Sequence, residues 1–333
     1  MNNLLDPAIL FFVFGVLAGT IKSNLEIPQT ISRFLSLYLL MALGLKGGFA
    51  LAHSGFTPAV ATGLLAAVTL AVTVPLIGFS LLRRVVPEFD AAALAATYGS
   101  VSAVTFVTAV QFLETHAIAY GGHMAAAMAL MESPAIVLAV LLANVVRQRS
   151  VVVAGLRAGN GAAVLSPSPG LPLGKVFHEA MTDGAQLLLL GAMAIGMLTG
   201  DARKAAMQPF SGDLFKGMLA FFLLDMGLMT ARNLPQVRGK SPVLLAYAVL
   251  GPVMHACLAL TLARLAGLGA GDGFLLTVLA ASASYIAVPV VLRYAIPEAN
   301  PSIYFALSLG VTFPLNIILG IPAYALAART LLG

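Results

Sequence analysis

The chain has 333 residues, of which 60% are hydrophobic and only 9% charged, and its mean hydropathy is +0.97. A soluble domain carries about 25% charged residues, so this composition excludes a water-soluble globule. The net charge of +5 therefore reads as basic loops facing the cytoplasm rather than as a nucleic-acid-binding surface, and the single cysteine, Cys257, excludes a disulfide framework.

A membrane-crossing helix needs roughly 20 apolar residues. On that ruler spans fall at 4–21, 29–46, 58–82, 91–112, 124–146, 181–199, 212–231, 242–266, 273–293 and 302–328, the first and sixth being short. The start, Met1 to Asp6, has no basic region, so the first span reads as a retained helix and not as a cleaved signal. Residues 147–180 carry Arg147, Arg149, Arg157 and Lys175 around Gly159-Asn160-Gly161 and Ser166-Pro167-Ser168-Pro169-Gly170, the composition of a hydrophilic linker. The chain thus divides into 1–146, a first set of five helices; 147–180, a cytoplasmic linker; and 181–333, a second set of five. With the N-terminus outside, twelve of the 18 Lys and Arg fall in cytoplasmic loops, Lys22, Arg33, Arg83, Arg84 and Lys240 among them. Both termini are accordingly expected in the periplasm.

The two sets echo each other. Asp6-Pro7 answers Asp183-Gly184, Leu43-Gly44-Leu45 answers Met226-Gly227-Leu228, and Thr57-Pro58 answers Ser241-Pro242. Ser100 and Ser102 answer Ser282 and Ser284, and Ser133-Pro134 answers Phe313-Pro314, all about 180 positions apart and in the same order. An odd number of spans per set means that the second copy enters the membrane upside down, an inverted repeat with its site at the repeat interface near mid-bilayer.

The strongest pair of landmarks is Tyr98-Gly99-Ser100-Val101-Ser102-Ala103-Val104-Thr105 in the fourth span and Ala281-Ser282-Ala283-Ser284-Tyr285-Ile286-Ala287-Val288-Pro289 in the ninth. Both are hydroxyl-rich patches within apolar spans. Irregular backbone survives in hydrocarbon only where protein or a wet cavity surrounds it. Ser102, Thr105 and Thr108 line one helical face, Gly99 permits a bend or a close approach, and Pro289 is expected to break the ninth helix around Ser284 to Val288. A broken helix offers an N-terminus worth about half a positive charge, which can hold a small anion, and unwound carbonyls that can hold Na⁺ beside it, so the candidate substrate-binding residues are Gly99, Ser100, Ser102, Thr105, Ser282, Ser284 and Tyr285, with Na⁺ near Ser102 and Ser284. The bland alternative is that these small residues only let helices pack closely. Intramembrane acids are functional candidates by default, which brings in Glu132 and Asp225 as ion-coupling residues, with Asn316 beside them. Lys46 reads as a side chain that snorkels outward, and His255 as a core residue, since no ligand lies at metal spacing.

Enzyme readings fare badly. His178-Glu179-Ala180-Met181-Thr182 has Thr182 where a zinc-protease motif needs its second His. There is neither a Gly-x-Ser-x-Gly elbow nor a phosphate-binding Gly-x-x-x-x-Gly-Lys-Ser/Thr loop, so transport has to be passive or driven by an ion gradient.

Gly44-Leu45-Lys46-Gly47-Gly48, Gly99-Ser100-Val101-Ser102, Met131-Glu132-Ser133-Pro134-Ala135, the Ser282–Pro289 patch and Ile296-Pro297-Glu298-Ala299-Asn300-Pro301-Ser302 resemble the sodium-dependent bicarbonate transporter family of cyanobacteria and other bacteria. The resemblance covers nearly the whole chain apart from the linker, and the Ile-Pro-x-Ala-Asn-Pro-Ser run is its most specific piece. It implies an all-α membrane protein of ten transmembrane helices in two inverted five-helix repeats, with broken, crossed fourth and ninth helices as in bile-acid symporters and sodium/proton antiporters. It implies Na⁺-coupled bicarbonate uptake across the inner membrane by alternating access, with bicarbonate and Na⁺ bound at Ser100, Ser102, Ser282 and Ser284. A homotrimer and a PII-like cytoplasmic regulator are associated with some members. The chain departs from the cyanobacterial Ser-Ser-Ser-Asp-Ile-Ser-Gly-Pro pattern: Tyr285 stands in place of the acid and Ala287 in place of a serine. Two alternatives remain open, a sodium- or proton-coupled symporter of another small organic anion and a membrane sensor or scaffold that binds without transport.

Overall fold

A computed structural model of the chain describes residues 6–157, 178, 182 and 184–333. Most of the linker, and Asp183 of the first echo, lie outside them. Among the described residues all regular structure is helical. The helices are α1 (Pro7–Thr20), α2 (Gln29–Ser54), α3 (Pro58–Leu82), α4 (Glu88–Gly99), α5 (Ala103–Thr115) and α6 (His123–Arg157), followed by α7 (Gly184–Gly200), α8 (Arg203–Val237), α9 (Pro242–Leu265), α10 (Ala270–Ala281), α11 (Ala287–Ala295) and α12 (Pro301–Leu332). Seven helices are long and apolar enough to cross a membrane, the tandem Glu88–Thr115 counted as one, and three shorter apolar helices are α1, α7 and α10. The chain is a multi-pass membrane protein.

Local chemistry sets many of the helix starts. Asp6 accepts a hydrogen bond from Ala8 N at 2.8 Å ahead of Pro7. Thr57 caps α3 ahead of Pro58, and Asn300 caps α12 ahead of Pro301. In each, a side-chain oxygen satisfies an orphan N–H while the proline occupies a first-turn position that needs no donor. Helix α2 runs past the expected end at 46, because its Gly-rich turn is a packing surface and not a terminator. Helix α6 continues to Arg157, so the first part of the expected linker is helical. Helix α12 carries two π turns, Ser308–Thr312 and Asn316–Gly320, on either side of Pro314.

The helices pack in two groups. In one, α1 lies along α8 and α2 along α7. A Cβ on Gly196 would fall 2.7 Å from Leu45 O and 3.1 Å from the Gly48 Cα, and one on Gly15 would lie 3.1 Å from the Gly227 Cα. These two glycine-to-glycine contacts let the backbones meet, the small-residue route to tight packing in lipid. In the other group α3 packs on α4 and α6, and α9 and α12 pack on α10. Each of these pairings has a counterpart about 180 positions along the chain.

Candidate functional site

Helices α4 and α5 are separated by Ser100, Val101 and Ser102, and α10 and α11 by Ser282 to Ile286. The two breaks are laced to each other. Ser102 N donates to Ser282 Oγ at 2.9 Å, and Ser284 N donates to Thr97 O at 2.8 Å. These bonds satisfy backbone groups that the interrupted helices release and that the surrounding hydrocarbon cannot. Ser282 Oγ in turn donates to Leu279 O at 2.8 Å, and Asn316 Nδ2 donates to Ala281 O at 2.7 Å while Asn316 Oδ1 accepts from Tyr324 OH at 3.1 Å. Asn316 thus ties the last carbonyl of α10 to a π turn of α12, directly behind the break.

A serine stands at the start of α5 as its N-cap, and another, Ser284, stands just ahead of α11, whose N-cap is Ile286. Ser102 Oγ accepts from Thr105 N at 3.2 Å and from Thr105 Oγ1 at 2.9 Å, and lies 3.4 Å from Tyr285 OH. Ser284 Oγ accepts from Val288 N at 3.3 Å. Pro289 does not make the break. It sits in the first turn of α11, where a missing N–H is no loss; residues 282–286 carry the interruption.

The N-terminal ends of α5 and α11 face one cavity of about 60 Å³, lined by Val101 to Val104, Ser284 to Ala287, Ser36, Leu40, Met128, Glu132, Ala185, Gln186 and Leu189. One water needs at least about 10–15 Å³ of such space, so the cavity has room for a small solute. First-turn N–H groups of a helix lack intrahelical partners, and both helix poles are positive. Glu132 shares the lining, and its Oε2 accepts from Gln186 Nε2 at 2.9 Å.

The expected residues sort by position. Ser102, Ser284, Tyr285 and Glu132 line the cavity. Ser282 and Thr105 stand one bond behind it. Ser100 is buried in the break with its Oγ unpartnered among the described residues. Gly99 faces α3: a Cβ there would fall 2.7 Å from the Pro75 ring, so close packing explains it. The Tyr285 ring lies 5.0 Å from that of Phe313, its hydroxyl toward Ser102. Asp225 lies apart from the cavity, buried on α8 with Ser32 of α2 beside it. Lys46 does not snorkel. It bonds Glu114 at 2.9 Å and lies 4.1 Å above the Phe215 ring. His255 is buried 6.4 Å from the Tyr247 ring, outside the cavity.

Sequence reasoning missed Ser36, Gln186 and Thr97. Thr97 contributes only a backbone carbonyl, which leaves no side-chain signature. A polar Gln186 at the head of an apolar span was a legible signal for the second.

A family model, described as the Na⁺-dependent bicarbonate transporter superfamily, matches residues 7–329. A comparison with curated proteins finds no match. The match runs through both breaks, the Glu132 wall and the loop after α11, and the chain belongs to the Na⁺-dependent bicarbonate transporter superfamily.

Proposed function

We propose that the chain takes up bicarbonate together with Na⁺ across the inner membrane, by alternating access around the crossing of two broken helices. One observation carries the proposal: two helix N-termini converge on a small cavity, about 60 Å³, that is also lined by a carboxylate. Bicarbonate has four heavy atoms, and the N–H groups of Ala103, Val104 and Ala287 with the Ser284 hydroxyl supply donors to its oxygens without any Lys or Arg. Glu132, with the hydroxyls of Ser36 and Ser102, supplies hard oxygen to Na⁺. It takes the place of the acid that Tyr285 replaces. A lone ion pays heavily to leave water, and a pair of opposite charge pays less, so the two solutes favour each other's entry.

The seven long and three short apolar helices among the described residues support ten passes. The matching contacts, α1 on α8 against α7 on α2 and α3 on α4 against α9 on α10, support an inverted repeat of five and five. Movement falls between the two groups, because the crossing is wholly inside one of them. The basic loops support a cytoplasmic linker. The small cavity favours bicarbonate over a larger organic anion.

Purified protein in proteoliposomes tests this. Labelled bicarbonate should accumulate with an inward Na⁺ gradient and not with K⁺, whereas small carboxylates should compete poorly. Accumulation of a carboxylate instead would refute the substrate, and Na⁺- and bicarbonate-dependent thermal stabilisation with no flux would refute transport altogether.

A further inference from the structure

We infer that a second cavity, on the outer side beside α5, is a binding site for a monovalent cation centred on Gln111. It has a volume of about 270 Å³ and is lined by Thr108, Gln111 and Thr115 of α5, by Asp6 at the start of α1, and by apolar walls that include Leu219 and Ile321. Gln111 is only 5% exposed. Its Nε2 donates to Thr115 Oγ1 at 2.9 Å. Its Oε1 is buried and has no partner among the described residues, which is costly for a carbonyl oxygen withdrawn from water.

The other polar atoms in the cavity are of the same kind. Thr108 Oγ1 spends its proton on Val104 O at 2.8 Å, leaving lone pairs. Asp6 presents a carboxylate, of which one oxygen accepts from Ala8 N. His116 is tied to Phe112 O at 2.8 Å through Nδ1. Among the described residues neither Lys nor Arg lines the cavity. A set of oxygen acceptors with a single carboxylate suits a hard cation of single charge; Ca²⁺ takes about six to eight oxygens. The neighbouring basin, past the outer end of α5, carries charges of both signs, Lys46, Lys204 and Lys216 with Glu114 and Asp213.

Gln111, Thr108 and Thr105 stand at three-residue steps on the helix that Ser102 caps, and all are buried. At 1.5 Å per residue Gln111 lies about 13 Å from Ser102. The inference rests on the Na⁺-coupled reading above, and it makes this cavity the place where external Na⁺ is held before reaching the crossing.

Thermal unfolding of the purified full-length protein, titrated with NaCl against KCl and choline chloride at constant ionic strength, tests it. Gln111→Leu should raise the Na⁺ concentration for half-maximal stabilisation by roughly tenfold, and Gln111→Glu, which keeps an oxygen, should not. In proteoliposomes Gln111→Leu should raise the external Na⁺ requirement by a similar factor, with the KM for bicarbonate unchanged at saturating Na⁺. If Gln111→Leu does not fold, the exposed-mouth variant Asp6→Asn should give a shift in the same direction. A Na⁺ response untouched in both variants and lost in Ser102→Ala/Ser284→Ala overturns the outer site and leaves the transport reading standing. A response lost only through Gln111 upholds the outer site and removes the cation from the crossing. No response to Na⁺ in the wild-type protein overturns the outer site as a Na⁺ site.

Discussion

Ser102→Ala is the sharpest perturbation of the crossing. The substitution removes the cap of α5, at a typical cost of about 1 kcal/mol. It strips the acceptor from the Thr105 hydroxyl, which can turn instead to a carbonyl one turn back in its own helix at small cost. It also takes away the neighbour at 3.4 Å of a Tyr285 hydroxyl that is buried at 4% exposure, an unmet polar group worth about 1–2 kcal/mol. The sum is about 2–3 kcal/mol, and for a protein of this size a loss of that order lowers the melting temperature by roughly 5 °C. Uptake of labelled bicarbonate should fall by at least tenfold, because the lost hydroxyl also lines the cavity. Ser102→Thr keeps the capping oxygen and should restore both readings in large part. If Ser102→Ala melts and transports as the wild type does, or if Ser102→Thr is as damaged as Ser102→Ala, the hydroxyl is not what holds the crossing and the argument fails.

Gly196→Ala places a methyl 2.7 Å from Leu45 O. Overpacking of this kind costs about 1–3 kcal/mol and should show as a lower melting temperature with bicarbonate KM unchanged. Glu132→Gln should raise the Na⁺ concentration for half-maximal uptake far more than Asp225→Asn, since only Glu132 lines the cavity; equal effects would separate the cation from the cavity. If one Na⁺ accompanies one bicarbonate, the roughly 2.3 kcal/mol per charge per 100 mV cancels, and uptake should ignore an imposed potential. Glu298, in the loop after α11, is held below the usual carboxylate range first by its hydrogen bond from Arg147. A lowered folded pKa means that its contribution is present above the ordinary carboxylate pKa and is lost as pH falls through the folded one. The pair is partly exposed, so the loss should stay under about 1 kcal/mol, and Glu298→Gln should flatten that acid limb of a melting-temperature profile.

The architecture was legible where physics writes in periodic or paired signals. Apolar length marked the helices, and twin serine patches marked both breaks to within a few residues. Pro289 misled because a proline disrupts a helix interior yet suits its first turn, and only the helix phase distinguishes the two. The glycines at 44 to 48 lie where the second span was expected to end and proved to be a contact surface, Gly48 meeting Gly196 far along the chain. Thr97 was beyond reach, because its role is played by a carbonyl that every residue possesses. Lys46 looked like an ordinary interfacial cation; Glu114, its partner, is 68 positions away.

The lacing of the two breaks has an evolutionary consequence. Its two backbone bonds are made of main-chain atoms and Ser282, the Tyr285 side chain adds only the 3.4 Å contact with Ser102, and the attraction for an anion comes from helix ends. A sequence of this kind can exchange a phenol for a carboxylate there, altering which cation or anion is preferred, while the scaffold that presents the solute stays assembled. Selectivity in such a carrier is therefore able to drift by single substitutions without passing through an unfolded ancestor.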